Sequence, residues 1–236
     1  MKNLVLVFAA TACAAACLVS CHKREADDPK NPYDEYAVDL GLSVKWASVN
    51  VGATSEKDLG KYYGWGEVSD KAEGVYYNWD SYEVFKGVGT DDASRDAALS
   101  AIYDDKLILK KEKDVAHVQW GGSWRMPTEA DFEELLQNCT WVMEPSDYEL
   151  WTADTPGGWR VTSKINGSSI FIPAAGQRTI DNLEKEKGRE AYFWTSNRDE
   201  DGDTFAIIFG RFMNQAVRGY QYVCIGNPVR PVYDEK

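Results

Sequence analysis

From Ala37 onward the apolar residues alternate over short runs, each closed by glycine, proline or an Asn-Gly pair, and this pattern bounds the fold most tightly. Val38, Leu40, Leu42, Val44 and Trp46 alternate with polar or small residues, which is the period of a half-buried strand. Residues 159–165 and 168–172 flank Asn166-Gly167 and predict a hairpin on a tight primed turn, with Pro173 as its stop. Residues 192–196, 204–212 and 218–225 give three more strands. One stretch departs clearly from this period. After Pro127, Thr128 is a helix N-cap with Asp131 in the third helical position, a variant of the capping box. Phe132, Leu135, Leu136 and Cys139 then fall on one helical stripe. Asp91 to Tyr103 also reads as helical, with Ala97, Ala98, Ala101 and Ile102 on its apolar face. Many short strands with few helices, and no alternation of strand and helix, predict an α+β domain. All nine Trp lie in this region, and each aromatic buries on the order of 150–250 Å². A single domain over residues 37–236 is expected.

The first 20 residues predict a compartment. Lys2 precedes an apolar run from Leu4 to Ala16, too short to span a bilayer and flanked as a secretory leader is. It ends in Leu18-Val19-Ser20-Cys21, which resembles a lipobox. The resemblance implies removal of residues 1–20 and lipidation of Cys21, with several acyl chains needed for durable attachment. Residues 21–36 are charged, carry two prolines and read as a flexible tether. No aspartate follows Cys21, and the acidic residues close behind it resemble the surface-export signals of Bacteroidetes lipoproteins. An outer-membrane or cell-surface location is therefore expected, with the membrane as a partner through the lipid. The formal net charge of −12 argues against nucleic acid as a partner.

Several phrases together resemble one family. They include Val38-Asp39-Leu40-Gly41-Leu42-Ser43-Val44-Lys45-Trp46-Ala47, Gly64-Trp65-Gly66-Glu67, Gly121-Gly122-Ser123-Trp124-Arg125-Met126-Pro127-Thr128, Cys139-Thr140-Trp141, Ile170-Phe171-Ile172-Pro173-Ala174-Ala175-Gly176, Phe193-Trp194-Thr195-Ser196 and Val229-Arg230-Pro231-Val232. Their order and spacing resemble the Fibrobacter succinogenes major paralogous domain of bacterial lipoproteins. The run from Trp124 to Phe132 is also similar to the helix start of the formylglycine-generating enzyme superfamily. These resemblances imply a C-type-lectin-like fold: N- and C-terminal strands side by side, helices flanking a small twisted sheet, and long loops presenting a surface. Fold alone does not fix function.

Cys13 and Cys17 leave with the leader, so Cys139 and Cys224 remain, either bridged or as buried thiols. Cys139 sits on the helix stripe and Cys224 lies between Val223 and Ile225, surroundings unlike those of a reactive thiol. His117 reads as a hydrogen-bonded structural residue. Asp199-Glu200-Asp201-Gly202-Asp203 reads as a solvated acidic turn, its glycine one place off the calcium-loop position. Gly64-Trp65-Gly66-Glu67 reads as a glycine-tight turn with a packed tryptophan. No catalytic residue, metal site or cofactor is expected. Binding remains, through aromatic residues in segments outside the periodic runs: Tyr77, Trp79, Tyr220 and Tyr222. Asn214 and Arg218, with Tyr220, lie where lectin-like relatives display their ligand surface. The expected role is non-catalytic recognition of an extracellular glycan or protein. The alternatives are a structural component of a surface assembly and an enzyme of the formylglycine-generating type.

Overall fold

In the computed structural model, residues 31–199, 204–210 and 216–235 are described. Ala37–Val38 (β1) and Lys45–Ala47 (β2) form a hairpin, and Val232–Tyr233 (β10) pairs with both β2 and Trp124–Arg125 (β3). The sheet order is β1-β2-β10-β3, so strands from both ends of the described chain lie side by side. Two three-stranded antiparallel sheets complete the framework. One holds Cys139–Glu144 (β4), Gly158–Ser163 (β5) and Ser169–Pro173 (β6); the other holds Glu190–Arg198 (β7), Thr204–Gly210 (β8) and Val217–Tyr220 (β9). Helices Asp92–Ser100 (α1), Val115–Trp120 (α2) and Glu129–Asn138 (α3) are separate from the strand runs, which makes the architecture α+β.

β7 shows why the alternating pattern builds a core. Its Tyr192 and Trp194 enter one apolar cluster, with Tyr63, Trp65, Trp120 and Trp124. Its Ala191 and Phe193 enter a second, with Trp46, Phe132, Leu135 and Ile172. A strand has two faces at a period of two, and β7 buries both. Trp194 Nε1 donates to the Tyr63 carbonyl at 2.7 Å, and Trp65 Nε1 to the Thr195 carbonyl at 2.9 Å, so the indoles are buried with their polar atoms matched.

The α3 helix starts as the sequence predicts. Thr128 Oγ1 accepts from the Asp131 amide at 3.2 Å, and Asp131 Oδ2 accepts from the Thr128 amide at 2.7 Å. Arg125 of β3 also grips Asp131, at 2.8 Å, and Asp234 beyond β10, at 3.2 Å, locking helix to sheet. Cys139 is buried, as its register implies, but it opens β4 and does not belong to the helix.

Four expectations are corrected by the structure. The run from Val38 to Trp46 is not one strand. It turns at Gly41, where φ is 73°, and Asp39 Oδ1 accepts from the Gly41 amide at 2.7 Å. Burial still alternates through the turn, with Leu40, Val44 and Trp46 inside, which is why the pattern imitates a strand. The Asn166-Gly167 turn is not a tight primed turn, because only Gly167 takes a positive φ. Instead β5 stops at Ser163, whose hydroxyl accepts from the Ile165 amide at 3.0 Å and donates to the Leu40 carbonyl at 2.6 Å. The α1 helix buries Leu99, with Ile102 just beyond it, while Ala97 and Ala101 face solvent, because larger side chains gain more from burial. Pro32 to Tyr36, expected to be flexible, are structured. A 3-10 turn over Pro32–Tyr36 joins the folded unit, which begins at Asn31. Tyr33 stacks on Trp120 with centroids 5.0 Å apart, and Asn31 Nδ2 donates to the Trp120 carbonyl at 2.7 Å.

Arg230 is fully buried at the junction of the elements. Its guanidinium donates to Asn50 Oδ1 at 2.8 Å, the Ala47 carbonyl at 3.0 Å and the Phe171 carbonyl at 2.9 Å. Burial pushes its pKa down to about 9, which leaves it charged at neutral pH. The fork of donors therefore ties β2 to β6 from inside the molecule.

Candidate functional site

The loop from Gly64 to Phe85 is irregular, and it is held by a buried carboxylate. Glu67 accepts from the amides of Gly64 at 3.0 Å and Glu83 at 2.8 Å, and from Lys71 Nζ at 2.7 Å. Lys71 Nζ also donates to the Ser81 carbonyl at 2.6 Å and lies 4.9 Å from the centre of the Tyr77 ring. Both side chains of the ion pair are nearly inaccessible to solvent. Gly66, at φ 78°, permits the turn, and Trp65 beside it is core. Glu67 is thus a clamp inside the protein. A cleft of about 670 Å³ opens beside the pair, lined among others by Ser69, Asp70, Val75, Ser81 and Lys113.

Tyr77 and Tyr82 anchor this loop from below. Tyr77, predicted as a ligand-binding ring, is instead fully buried: its hydroxyl donates to the Tyr62 carbonyl and its ring packs on Gly226. The backbone carbonyl satisfies the one polar atom, so the whole side chain can enter the core. Burial raises the pKa of both Tyr77 and Tyr82. Tyr82 donates to the Trp65 carbonyl.

Between these anchors the chain is pushed outward. Asn78 and Ser81 close a small turn, with the Ser81 amide donating to Asn78 Oδ1 at 2.9 Å and the Asn78 amide to Ser81 Oγ at 3.1 Å. Trp79 stands on that turn, 37% exposed. It stacks on Phe85 with centroids 5.8 Å apart and planes 13° from parallel. Tyr222, 71% exposed, meets Trp79 edge-on at 5.6 Å. Arg95 of α1 lays its guanidinium over Phe85 at 5.4 Å and Trp79 at 5.9 Å. Tyr220, 69% exposed, closes β9 two residues before Tyr222. Strand alternation places Arg218 and Tyr220 on one face of β9. Arg218 reaches Glu129 at 3.1 Å and Asp199 at 3.5 Å.

The predicted residues therefore divide. Trp79 and Tyr222 come together, with Tyr220 and Arg218 on the adjoining edge strand. Tyr77 does not join them. Cys21 and Asn214 lie outside the described residues, as do Glu200 to Asp203 of the acidic turn. The structure adds Phe85 and Arg95 to the cluster. The spacing of Trp79, Tyr82 and Phe85 in a glycine-bounded stretch hints at Phe85, but Arg95 has no local signal.

The other candidates have ordinary surroundings. Cys139 and Cys224 are free and buried in different apolar clusters. Burial raises the Cys139 pKa and pushes Cys224 up to about 11, so both thiols stay protonated at neutral pH. His117 Nδ1 lies 3.2 Å from the Trp124 carbonyl, a structural partner. Among the described residues, no group of three or more His, Cys, Asp or Glu side chains is placed to hold a metal ion. No family model, curated relative or solved structure matches the chain.

Proposed function

We propose that this chain is a lipid-anchored module of the outer membrane or cell surface that recognises an extracellular glycan without catalysis. The location rests on the leader that ends at Cys21 and on the tether behind it. The recognition role rests on one observation above all: Trp79 and Phe85 of one loop meet Tyr222, from a distant part of the sequence, at the surface. Exposed aromatic rings are costly to leave in water, and a contiguous group of them marks a binding surface. Sugar rings present apolar C–H faces and polar edges, and the surface offers both counterparts in its rings and its Arg95. The anchors beneath the loop, Tyr77, Tyr82 and the Glu67–Lys71 pair, fix the rings before a ligand arrives, which lowers the ordering cost of binding. The C-type-lectin-like fold expected from the sequence resemblance belongs to this proposal too.

A glycan array probed with the full chain tests the reading. Retention of a defined glycan class, lost in Trp79→Ala and Tyr222→Ala, supports it. A protein partner is the second reading, favoured by Val75 and Tyr76, both exposed in the same loop. Stable copurification of one protein from the native membrane, broken by the same substitutions, together with no glycan retained, would select it.

A further inference from the structure

We infer that the Trp79–Phe85–Tyr222 surface is selective for uncharged sugars and discriminates against polysaccharides that carry carboxylate or sulfate; this rests on the glycan reading above. The argument begins with the charges around the rings. Asp80 follows Trp79 directly, Glu83 precedes Phe85 by two residues, and Asp91, Asp92 and Asp96 flank Arg95 on α1; all five are exposed. On the same segments the cations are Arg95 and Lys86, with Lys86 already paired to Glu83 at 3.3 Å, and Lys113 lines the cleft that Glu83 also lines. Carboxylates therefore outnumber cations at the surface that the rings offer.

The position of Arg95 sharpens the point. Its guanidinium is laid over two aromatic faces, at 5.4 and 5.9 Å, by a helix that packs on the turn carrying Phe85. The helix start is fixed by Asp91, whose carboxylate accepts from the Ser94 amide at 2.9 Å and the Ser94 hydroxyl at 2.7 Å. Arg95 is thus held between the rings and a turn of aspartates, and its charge is offset by neighbours on its own helix. A carboxylate arriving on a ligand meets a net negative field in place of an isolated cation. An uncharged sugar escapes that repulsion. Its C–H face gains contact with the rings whatever the ionic strength.

The test uses the full chain and a panel of soluble neutral polysaccharides. Each is offered as the neutral polymer and again after its primary hydroxyls are oxidised to carboxylates, so charge is the main variable. The neutral form is expected to bind about tenfold more tightly than the oxidised form at low salt, with the gap narrowing as salt screens the carboxylates. Binding of the neutral form is expected to change little between ~0.05 and ~0.5 M salt. The paired substitution Asp92→Asn with Asp96→Asn is expected to shrink the gap several-fold. Equal or tighter binding of the oxidised polymer overturns the inference and leaves the glycan reading standing. So does a gap that the paired substitution does not move. Absence of binding by every polymer in both forms overturns both.

Discussion

Glu67 and Lys71 form an ion pair at 2.7 Å beneath the loop that presents Trp79, and both side chains are almost wholly removed from water. The pair also joins the Gly64 and Glu83 amides to the Ser81 carbonyl. Breaking a buried pair leaves one charge uncompensated and costs about 3–5 kcal/mol, whereas replacing both members with apolar groups can be near neutral. Glu67→Gln and Lys71→Met should each lower the urea midpoint strongly. The double change Glu67→Leu with Lys71→Met should recover much of that loss. Equal losses in single and double variants would show that the pair does not act as a unit.

Arg230 makes three hydrogen bonds to neutral acceptors in a fully buried site. Arg230→Ala strands the Ala47 and Phe171 carbonyls and Asn50 Oδ1, each worth about 1–3 kcal/mol when left unpaired. A total loss above about 3 kcal/mol is expected in equilibrium unfolding. Arg230→Lys should recover little of it, since an ammonium cannot span three acceptors in the guanidinium plane.

Asp131 gives stability a pH dependence. Burial opposes its charge, but the Arg125 guanidinium and the Thr128 donors outweigh burial and hold its pKa below the ordinary carboxylate range. Its folded pKa thus lies below its unfolded one. The stabilisation is complete above the unfolded value, about 3.9, and is lost as pH falls through the folded value. The wild-type stability curve should therefore drop in acid more steeply than that of Asp131→Asn. Parallel curves from pH ~6 to ~2 would contradict this assignment.

Cys139 and Cys224 should resist thiol reagents in the native protein and react in full after denaturation, because burial keeps both protonated. Quantitative labelling with and without denaturant checks it. Fast native labelling of either thiol, or a missing thiol after denaturation without reductant, would contradict the buried, unbridged state.

The sequence is legible where the determinant is local and opaque where it is not. The capping box of Thr128 and Asp131 can be read because donor and acceptor lie three residues apart. β7 can be read because its burial repeats at the strand period. The Gly41 turn is hidden, since the burial alternation passes through it unbroken. Tyr77 misleads because a tyrosine in an irregular, polar stretch resembles a surface ring, and only its distant partner, the Tyr62 carbonyl, shows it to be core. For the candidate site, Trp79 and Tyr222 are each visible as exposed aromatics, but their meeting is a property of tertiary packing. Arg95 is invisible for the same reason: α1 reads as a helix, while the ring it covers belongs to another segment.

The most direct test of the account measures glycan affinity by calorimetry for the wild type, Trp79→Ala and Tyr222→Ala, using the best ligand from the array. Each ring is expected to act as a binding anchor, so each substitution should weaken binding by about tenfold or more while the variant stays folded at the assay temperature. Wild-type affinity in both variants would contradict the assignment of this surface as the binding site.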